Sequence, residues 1–482
     1  MAKMNMAARS GLAAARELRA VMQGKVVLPG EDAYRAAIQG RILRAGEDGY
    51  SRARKIWNGA IDHYPALFAL CETVEDVQAA IGAARRHGLA LSVRGGGYDW
   101  AGRALCHGGM VIDLSAMRSV TIDPAAGIAT VAGGATGSDL AAAAAPHGLA
   151  AVTGTIGGIG IAGLTLGGGY GPLSGRCGLA LDNLLEAEMV LADGGRTTAD
   201  ATENADLFWA LRGGGGNFGV VASMRVRLHA PGTVLAGLIT FPWPEAEAVL
   251  RGYAEIMATA PDELTVQAGM LPGVDGEPMV YLAPAWSGEP AGGQRFMAAL
   301  QRLGSPAVSQ IGFMSIAELL GRFDAHLAGG RNYAIRTRSL PALTPRAVSA
   351  FVAAGKCRTS PHSAITIDCL RGAATRVRPD ATAFGLREPH FMVGIVAAWE
   401  PAIGDGGAAH RQWARALSDR LASDALAGSH ASMLGPDDQQ QTAFAYGGNA
   451  ARLQYLKRRF DPDGIFASAI ALPARRPRGA GG

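Results

Sequence analysis

The sequence predicts an α+β protein in two parts: a glycine-loop region in the first half and a second domain on an antiparallel sheet. Three observations predict it. From residue 67 short apolar runs alternate with helical stretches, the pattern of buried strands joined by helices. Four glycine clusters, at 95–97, 133–134, 154–171 and 213–219, fall among those elements. After about residue 233 glycine density drops, and strand-like runs such as 265–270 and 279–283 alternate with amphipathic helices.

Each element has a local cause. Residues 1–56 read as a helical arm containing a short duplication, GKVVLPGEDAY at 24–34 and GRILRAGEDGY at 40–50. Residues 67–71 form an apolar run. Thr73 is a helix N-cap with Glu75 and Asp76 in the first turn, and Gly88 stops the helix after Arg86. Runs at 89–93, 110–114 and 127–132 are strands, and 139–145 is a short helix ended by Pro146 and Gly148. Residues 188–192 form a strand closed by the turn Asp193-Gly194-Gly195. A helical turn at 206–211 precedes a strand at 220–228, and a helix at 450–460 follows the motif Tyr446-Gly447-Gly448-Asn449.

Composition narrows the function. In 482 residues, 45 Lys and Arg nearly balance 41 Asp and Glu, so no basic nucleic-acid surface is indicated. Five scattered cysteines (Cys71, Cys106, Cys177, Cys357 and Cys369) argue against a disulfide framework. The first 23 residues lack the apolar stretch of a secretory signal, and no run is long enough for a membrane span. A soluble, cytoplasmic protein is expected. No His, Asp or Glu cluster has metal-ligand spacing.

The 67 glycines are the informative excess. Consecutive glycines let backbone N–H groups converge on an anion, and several such loops suit a large, multiply charged ligand such as a dinucleotide. Gly214-x-Gly216-x-x-Gly219 has the letters of a Rossmann fingerprint, but it follows a helix and precedes a strand, the reverse of the required order. Another fold must hold the ligand.

Five ordered motifs carry a family resemblance: VRGGGYDWAG at 93–102, IAGLTLGGGYGPLSGRCGLALDNL at 161–184, VLADG at 190–194, DLFWALRGGGGNFGVV at 206–221 and YGGNAARLQYLKRRFDPDGIF at 446–466. Together they resemble the FAD-linked oxidases of the vanillyl-alcohol oxidase superfamily, in the berberine-bridge-enzyme-like branch. The resemblance implies a two-subdomain PCMH-type FAD-binding domain at 57–232. It further implies a substrate domain at 233–440, with an antiparallel sheet covered by helices. A C-terminal segment at 441–482 would return to the FAD domain. It also implies that Gly95, Gly96, Gly97, Tyr98 and Asp99 wrap the pyrophosphate. Gly154, Thr155, Gly158, Ile159, Gly160 and Gly163 would run beside the pyrophosphate and flavin ring. Gly133 joins the cofactor cradle, and Gly219, Val220 and Val221 meet the adenine end.

Several positions depart from the family pattern. Tyr98 stands where bicovalent members carry a flavin-linked His, and Ile156 where they carry a linked Cys. Non-covalent FAD is therefore expected, with Tyr98 packing near the dimethylbenzene edge or filling the place of the imidazole. Ile159 occupies a position that governs oxygen access in the family and leans towards slow reoxidation. His430-Ala431-Ser432 replaces a Tyr-x-Asn, Ala469-Ile470-Ala471 replaces an Asn-Gln-Asn, Arg376 falls on the Glu base of the plant enzymes, and Leu386 replaces a usual His.

Oxidation of a C–H bond needs a hydride acceptor and usually a base. Candidate bases are His430 and Tyr446, then Tyr333 and His390. Arg336 and Arg338 are candidates for an anionic substrate, Asp368 is a buried polar candidate in the run AITIDCL, and Cys106 and Cys177 read as structural. The expected protein is an FAD-dependent oxidoreductase, monomer or homodimer, with molecular oxygen or another electron acceptor as its oxidant. Its small substrate, secondary-metabolite or sugar-like, is oxidised at an alcohol, amine or C–H bond. A cyclase or isomerase using FAD structurally or in a transient redox cycle, and a binding protein that keeps the fold, are the alternatives.

Overall fold

A computed structural model describes residues 13–16, 40–273, 276–322, 329–401 and 406–473. The first copy of the duplication lies outside the described residues. The second begins as a strand, β1 (Arg41–Arg44), which pairs antiparallel with β2 (Leu67–Leu70). This corrects the expected helical arm. Ile42 and Leu43 are buried while Arg41 is exposed, because the strand closes the edge of a sheet.

That sheet runs β1-β2-β4-β3, with β3 (Leu91–Arg94) and β4 (Met110–Asp113) parallel to β2. The helix Val74–Arg86 connects β2 to β3. Thr73 and Asp76 form a reciprocal capping box at its start. Its buried face, including Val77, Ala80 and Ile81, joins the core of this sheet.

A second sheet contains β5 (Val120–Asp123), β6 (Ile128–Ala132), β7 (Ala150–Ala151), β8 (Leu184–Val190), β9 (Arg196–Asp200) and β10 (Val220–His229), all antiparallel. Chain reversal into β9 uses the turn at Asp193, whose carboxylate accepts from Gly195 N at 2.8 Å.

The third sheet has seven antiparallel strands in the order β14-β11-β13-β12-β16-β17-β15. They are β11 (Val234–Pro242), β12 (Leu264–Pro272), β13 (Pro278–Trp286), β14 (Val308–Met314), β15 (Asn332–Leu340), β16 (Ala364–Leu370) and β17 (His390–Trp399). Period-2 alternation divides its faces. Ile365 and Ile367, with Val393, Ile395 and Ala397, lie in one core with Val249 and Tyr253 of the helix Ala246–Thr259, Phe351 of Pro345–Lys356 and Leu417 of Ala408–Leu421. The residues between them, Ala364, Thr366, Asp368, Met392, Gly394 and Val396, line a cavity on the opposite face.

The chain end returns to the first half. Leu453 and Leu456 of the helix Ala450–Phe460 share a core with Leu207 and Phe218, and Leu91 N donates to Ile465 O at 2.9 Å. Two buried links join the halves. Arg387 makes a bidentate pair with Asp182, both bonds at 2.8 Å. Asn58 donates to Trp100 O at 2.6 Å and Tyr333 O at 3.0 Å, and accepts from Tyr333 N at 2.9 Å.

Candidate functional site

The glycine loops converge on a cavity of about 680 Å³ whose far wall is the open face of the third sheet. Contact between loops is backbone to backbone: a Cβ on Gly96 would stand 2.6 Å from Gly160 N. Gly97 has φ +68, a conformation that costs a side-chain residue energy and glycine none. Gly137 N donates to Ile159 O, and Ser138 N to Gly157 O, so the first turn of the helix Gly137–Ala144 pins the third glycine loop. A Cβ on Gly163 or Gly216 would meet nothing within 4 Å, and both residues line the cavity. The cradle is thus open along glycine backbone, which admits an elongated, anionic cofactor through N–H donors.

Of the residues singled out by sequence, Gly95, Gly96, Gly97, Tyr98, Asp99, Gly133, Gly154, Thr155, Ile159, Gly160, Gly163, Gly219, Val221 and His430 line this one cavity, and so does Ile156. Gly158 instead backs Tyr98, since a Cβ there would stand 3.2 Å from the Tyr98 ring. Val220 lies in the core of the first sheet. Tyr98 is held by Trp57, their rings stacked at 5.1 Å, and Trp57 stacks in turn on Tyr333 at 3.9 Å.

Tyr446 corrects an expectation. Its side chain is buried in the core with Leu453 and Leu456 and does not line the cavity, and burial raises its phenol above the ordinary range. A phenol shifted upward by burial and absent from the cavity lining is poorly placed to act as a base. Its motif partner Asn449 explains the sequence signal: the amide donates to Pro379 O at 2.7 Å and Thr382 O at 3.1 Å, holding a loop.

His430 reaches the cavity, but not with the near-neutral pKa expected of it. It is 4% exposed. Burial, reinforced by His390, pushes its pKa down to about 3, so the ring stays neutral and binds protons weakly. Nδ1 shares a hydrogen bond with Ser432 Oγ at 2.7 Å, while Nε2 has no protein partner. Rings of Tyr170 and Phe384 flank it, each at 5.3 Å. Gly168, at φ +139, makes room: a Cβ there would stand 2.5 Å from Nε2. His430 thus borders the cavity, but its Nε2 is buried against Gly168.

The other candidates separate. His390 sits behind the wall, bonded to Tyr170 OH at 3.3 Å and Glu388 O at 2.8 Å. Arg336 pairs with Asp437 at 3.2 Å, and Arg338 donates to Ser418 Oγ at 3.0 Å. Strand alternation turns both away from the cavity that Ile335 and Thr337 line, so they bind no substrate there. Arg376 is exposed and pairs with Asp262.

Asp368 emerges as a carboxylate of the cavity wall that, among the described residues, has no ion pair. Gln267 donates to its Oδ1 at 2.9 Å, and Tyr281 OH donates to Gln267 Oε1 at 3.0 Å. Burial raises the Asp368 pKa from 3.8 to about 6, opposed only in part by the Gln267 bond. Sequence reasoning marked Asp368 merely as buried and polar, and it missed Gln267, Tyr281 and Tyr170. Gln267 and Tyr281 lie in ordinary strand runs and carried no signal; Tyr170 lay within a glycine motif.

Among the described residues, no cluster of His, Cys, Asp and Glu could hold a metal ion, and no helix is long and apolar enough to cross a membrane. The five cysteines are free thiols.

Comparison with known proteins supplies the cofactor. Residues 65–200 match the FAD binding domain family. The chain is 30% identical over 425 residues to the FAD-linked oxidoreductase aurO of Gibberella zeae, covering 86% of this chain and 81% of that protein. It is 31% identical over 456 residues to a xylooligosaccharide oxidase of Thermothelomyces thermophilus, covering 85% and 87%. The crystal structure of 6-hydroxy-D-nicotine oxidase from Arthrobacter nicotinovorans superposes with a TM-score of 0.80 at 28% identity, over 90% of this chain and 98% of that one. A glycine cradle open to a cofactor, an ionisable carboxylate on the facing sheet and these likenesses converge: the chain belongs to the FAD-linked oxidoreductases and takes FAD as its cofactor.

Proposed function

We propose that this enzyme oxidises a carbon bearing a proton-donating heteroatom in a small organic substrate, with FAD held non-covalently and Asp368 taking the heteroatom's proton. When bound, FAD supplies the two-electron acceptor for the hydride that leaves the substrate carbon. Gly95–Gly97, Asp99, Gly133, Gly160 and Gly163 are the residues that would hold it, and Gly219 with Val221 would meet its far end. Neither Tyr98 nor Ile156 is expected to bond to it: a phenol is a poor tether, and Ile156 has no nucleophile.

The observation that carries this reading is the Gln267–Asp368 hydrogen bond at the cavity wall. The amide aims one carboxylate oxygen and leaves Oδ2 for a substrate proton. A base with a pKa of about 6 is ionised at neutral pH yet takes up a proton without a large penalty. His430, neutral and bonded through Nδ1 to Ser432 Oγ, adds no positive charge to the cavity wall. Apolar Met392, opposite Asp368 in the register of β16 and β17, flanks that corner. The free thiols accord with residence in a reducing compartment such as the cytoplasm.

Relatives named for a xylooligosaccharide and for a hydroxynicotine set the range to screen. The test is anaerobic bleaching of the flavin band across aldoses, alcohols and amines. Bleaching by one class, with an oxidised product, supports the reading. A product isomeric with its substrate and no bleaching in any class would overturn it.

A further inference from the structure

We propose that the substrate is an amphipathic cation: a protonated amine docked on Asp368, carrying one apolar body laid along the sheet beyond it. The inference rests on the oxidoreductase reading of the same cavity and names its substrate class.

The first argument is charge. Asp368 lies in the cavity wall, and its polar partner is an uncharged amide. Among the described residues it has no ion pair with Lys or Arg. The cavity's two arginines and His362 face other carboxylates: Arg103 pairs with Asp99 at 2.8 Å, Arg331 with Glu400 at 2.6 Å, and His362 Nε2 stands 3.3 Å from Glu400 Oε1. His430 is neutral. A half-buried carboxylate in a cavity wall without a counter-charge carries a desolvation cost, and an incoming ammonium removes that cost where an alcohol does not.

The second argument is the layout of the floor. Cross-strand registers set it in three rows. The first joins Gln267, Asp368 and Met392; the second joins Thr366, Gly394 and Thr337; the third joins Ala364, Val396 and Ile335. Successive rows are two residues apart, about 7 Å along the strands. Polar groups crowd the first row: Tyr281, rooted in the second row opposite Gly269, turns its hydroxyl back to Gln267, and Tyr170 also lines the cavity. The third row is wholly apolar. In the second, the Thr337 hydroxyl is bonded to Ser429 Oγ at 3.2 Å, which leaves Thr366. Gly394 presents bare backbone between the two threonines, where a Cβ would stand 2.5 Å from Thr366 Oγ1. A flat apolar body can lie on that gap. A sugar, which needs hydrogen-bond partners along its whole length, would leave its far hydroxyls unpaired over Val396 and Ile335.

Together the two arguments fix polarity as well as class. The cationic head sits at the Gln267 edge, about 13 Å of floor stretches away from it, and the tail points towards the third row.

The test uses the FAD-loaded enzyme and three probes, 4-phenylbutylamine, 4-phenyl-1-butanol and cellobiose, titrated by calorimetry and by perturbation of the flavin spectrum. At pH 8 the amine should bind about tenfold or more tightly than the matched alcohol, with cellobiose weaker than either. At pH 5, below the Asp368 value of about 6, the preference should shrink in the unaltered protein. Asp368→Asn should abolish it at pH 8 while the alcohol affinity stays. Val396→Ser should weaken amine and alcohol alike and leave their ratio unchanged. An alcohol that binds as tightly as the amine at pH 8, or cellobiose binding more tightly than both, overturns the inference while leaving the flavoenzyme reading intact. A purified chain that takes up no FAD overturns both.

Discussion

Gln267 and Asp368 stand opposite each other in the register of β12 and β16, and the Gln267 amide donates to Asp368 Oδ1 at 2.9 Å. Tyr281 OH, donating to Gln267 Oε1 at 3.0 Å, fixes which way that amide faces. The carboxylate gains orientation from this chain without gaining a counter-charge, so desolvation wins and its pKa rises to about 6.

A proton acceptor with that pKa gives the reaction its pH profile. With the identified substrate, the anaerobic rate of flavin reduction should rise with pH through about 6 and then level, as Asp368 ionises. Asp368→Asn should lower the plateau by roughly 10²–10⁴-fold and flatten the profile. Stopped-flow absorbance measures both, and an unaltered profile in the variant would remove Asp368 from proton transfer.

The same shift has a stability cost of definite sign. Folded Asp368 holds its proton up to about 6, whereas its ordinary value is 3.8. Stability is therefore greatest below pH 4 for this group and is lost as pH rises through 6. Asp368→Asn keeps the shape and removes the charge. In urea denaturation of the FAD-loaded enzyme at pH 8 the variant should be more stable by on the order of 2–3 kcal/mol. That advantage should close as the pH falls to 4.

Tyr98 and Ile156 both line the cofactor cavity, and the proposal of non-covalent FAD rests on their chemistry. Acid precipitation of the yellow protein should leave all the flavin in the supernatant. Flavin fluorescence that stays with the chain in a denaturing gel would instead establish a bond, and mass spectrometry would locate it.

Ile159 lines the same cavity and stands close to Gly154, where a Cβ would be 3.5 Å from Ile159 Cδ1. Ile159→Val removes one methylene beside the cofactor cradle. Reoxidation of the reduced enzyme by air should be slow in the parent and several-fold faster in the variant. Equal rates in a stopped-flow oxygen mix would show that this side chain does not set oxygen access.

Asn58 ties the first glycine loop to the start of β15 through bonds to Trp100 O, Tyr333 O and Tyr333 N, and it is 2% exposed. Asn58→Ala leaves those buried backbone groups without partners. Unfolding free energy should fall by about 2–4 kcal/mol. The Tyr98–Trp57–Tyr333 stack should loosen with it, read as a change in Trp fluorescence before global unfolding.

What the sequence determined by itself is what neighbours along the chain decide. Thr73 with Asp76 closes a capping box three residues wide. Gly97 and Gly168 adopt φ values that side chains resist, and AITIDCL shows its two faces by alternation. Those signals gave the loops, most elements and, through motif resemblance, the cofactor. The strand at Arg41–Arg44 escaped them, because only pairing with β2 distinguishes it from a helical turn.

The chemistry was decided elsewhere. Gln267 and Asp368 are 101 residues apart, and Arg387 and Asp182 are 205 apart; no local pattern announces either meeting. His430 looked like a base because an isolated imidazole titrates near neutrality, but burial drives it to about 3. Tyr446 looked catalytic because of its motif, yet the fold spends it on the core. Desolvation and charge pairing sum over everything the tertiary structure brings near an atom, so proton affinity is settled only when the three sheets close around the cavity.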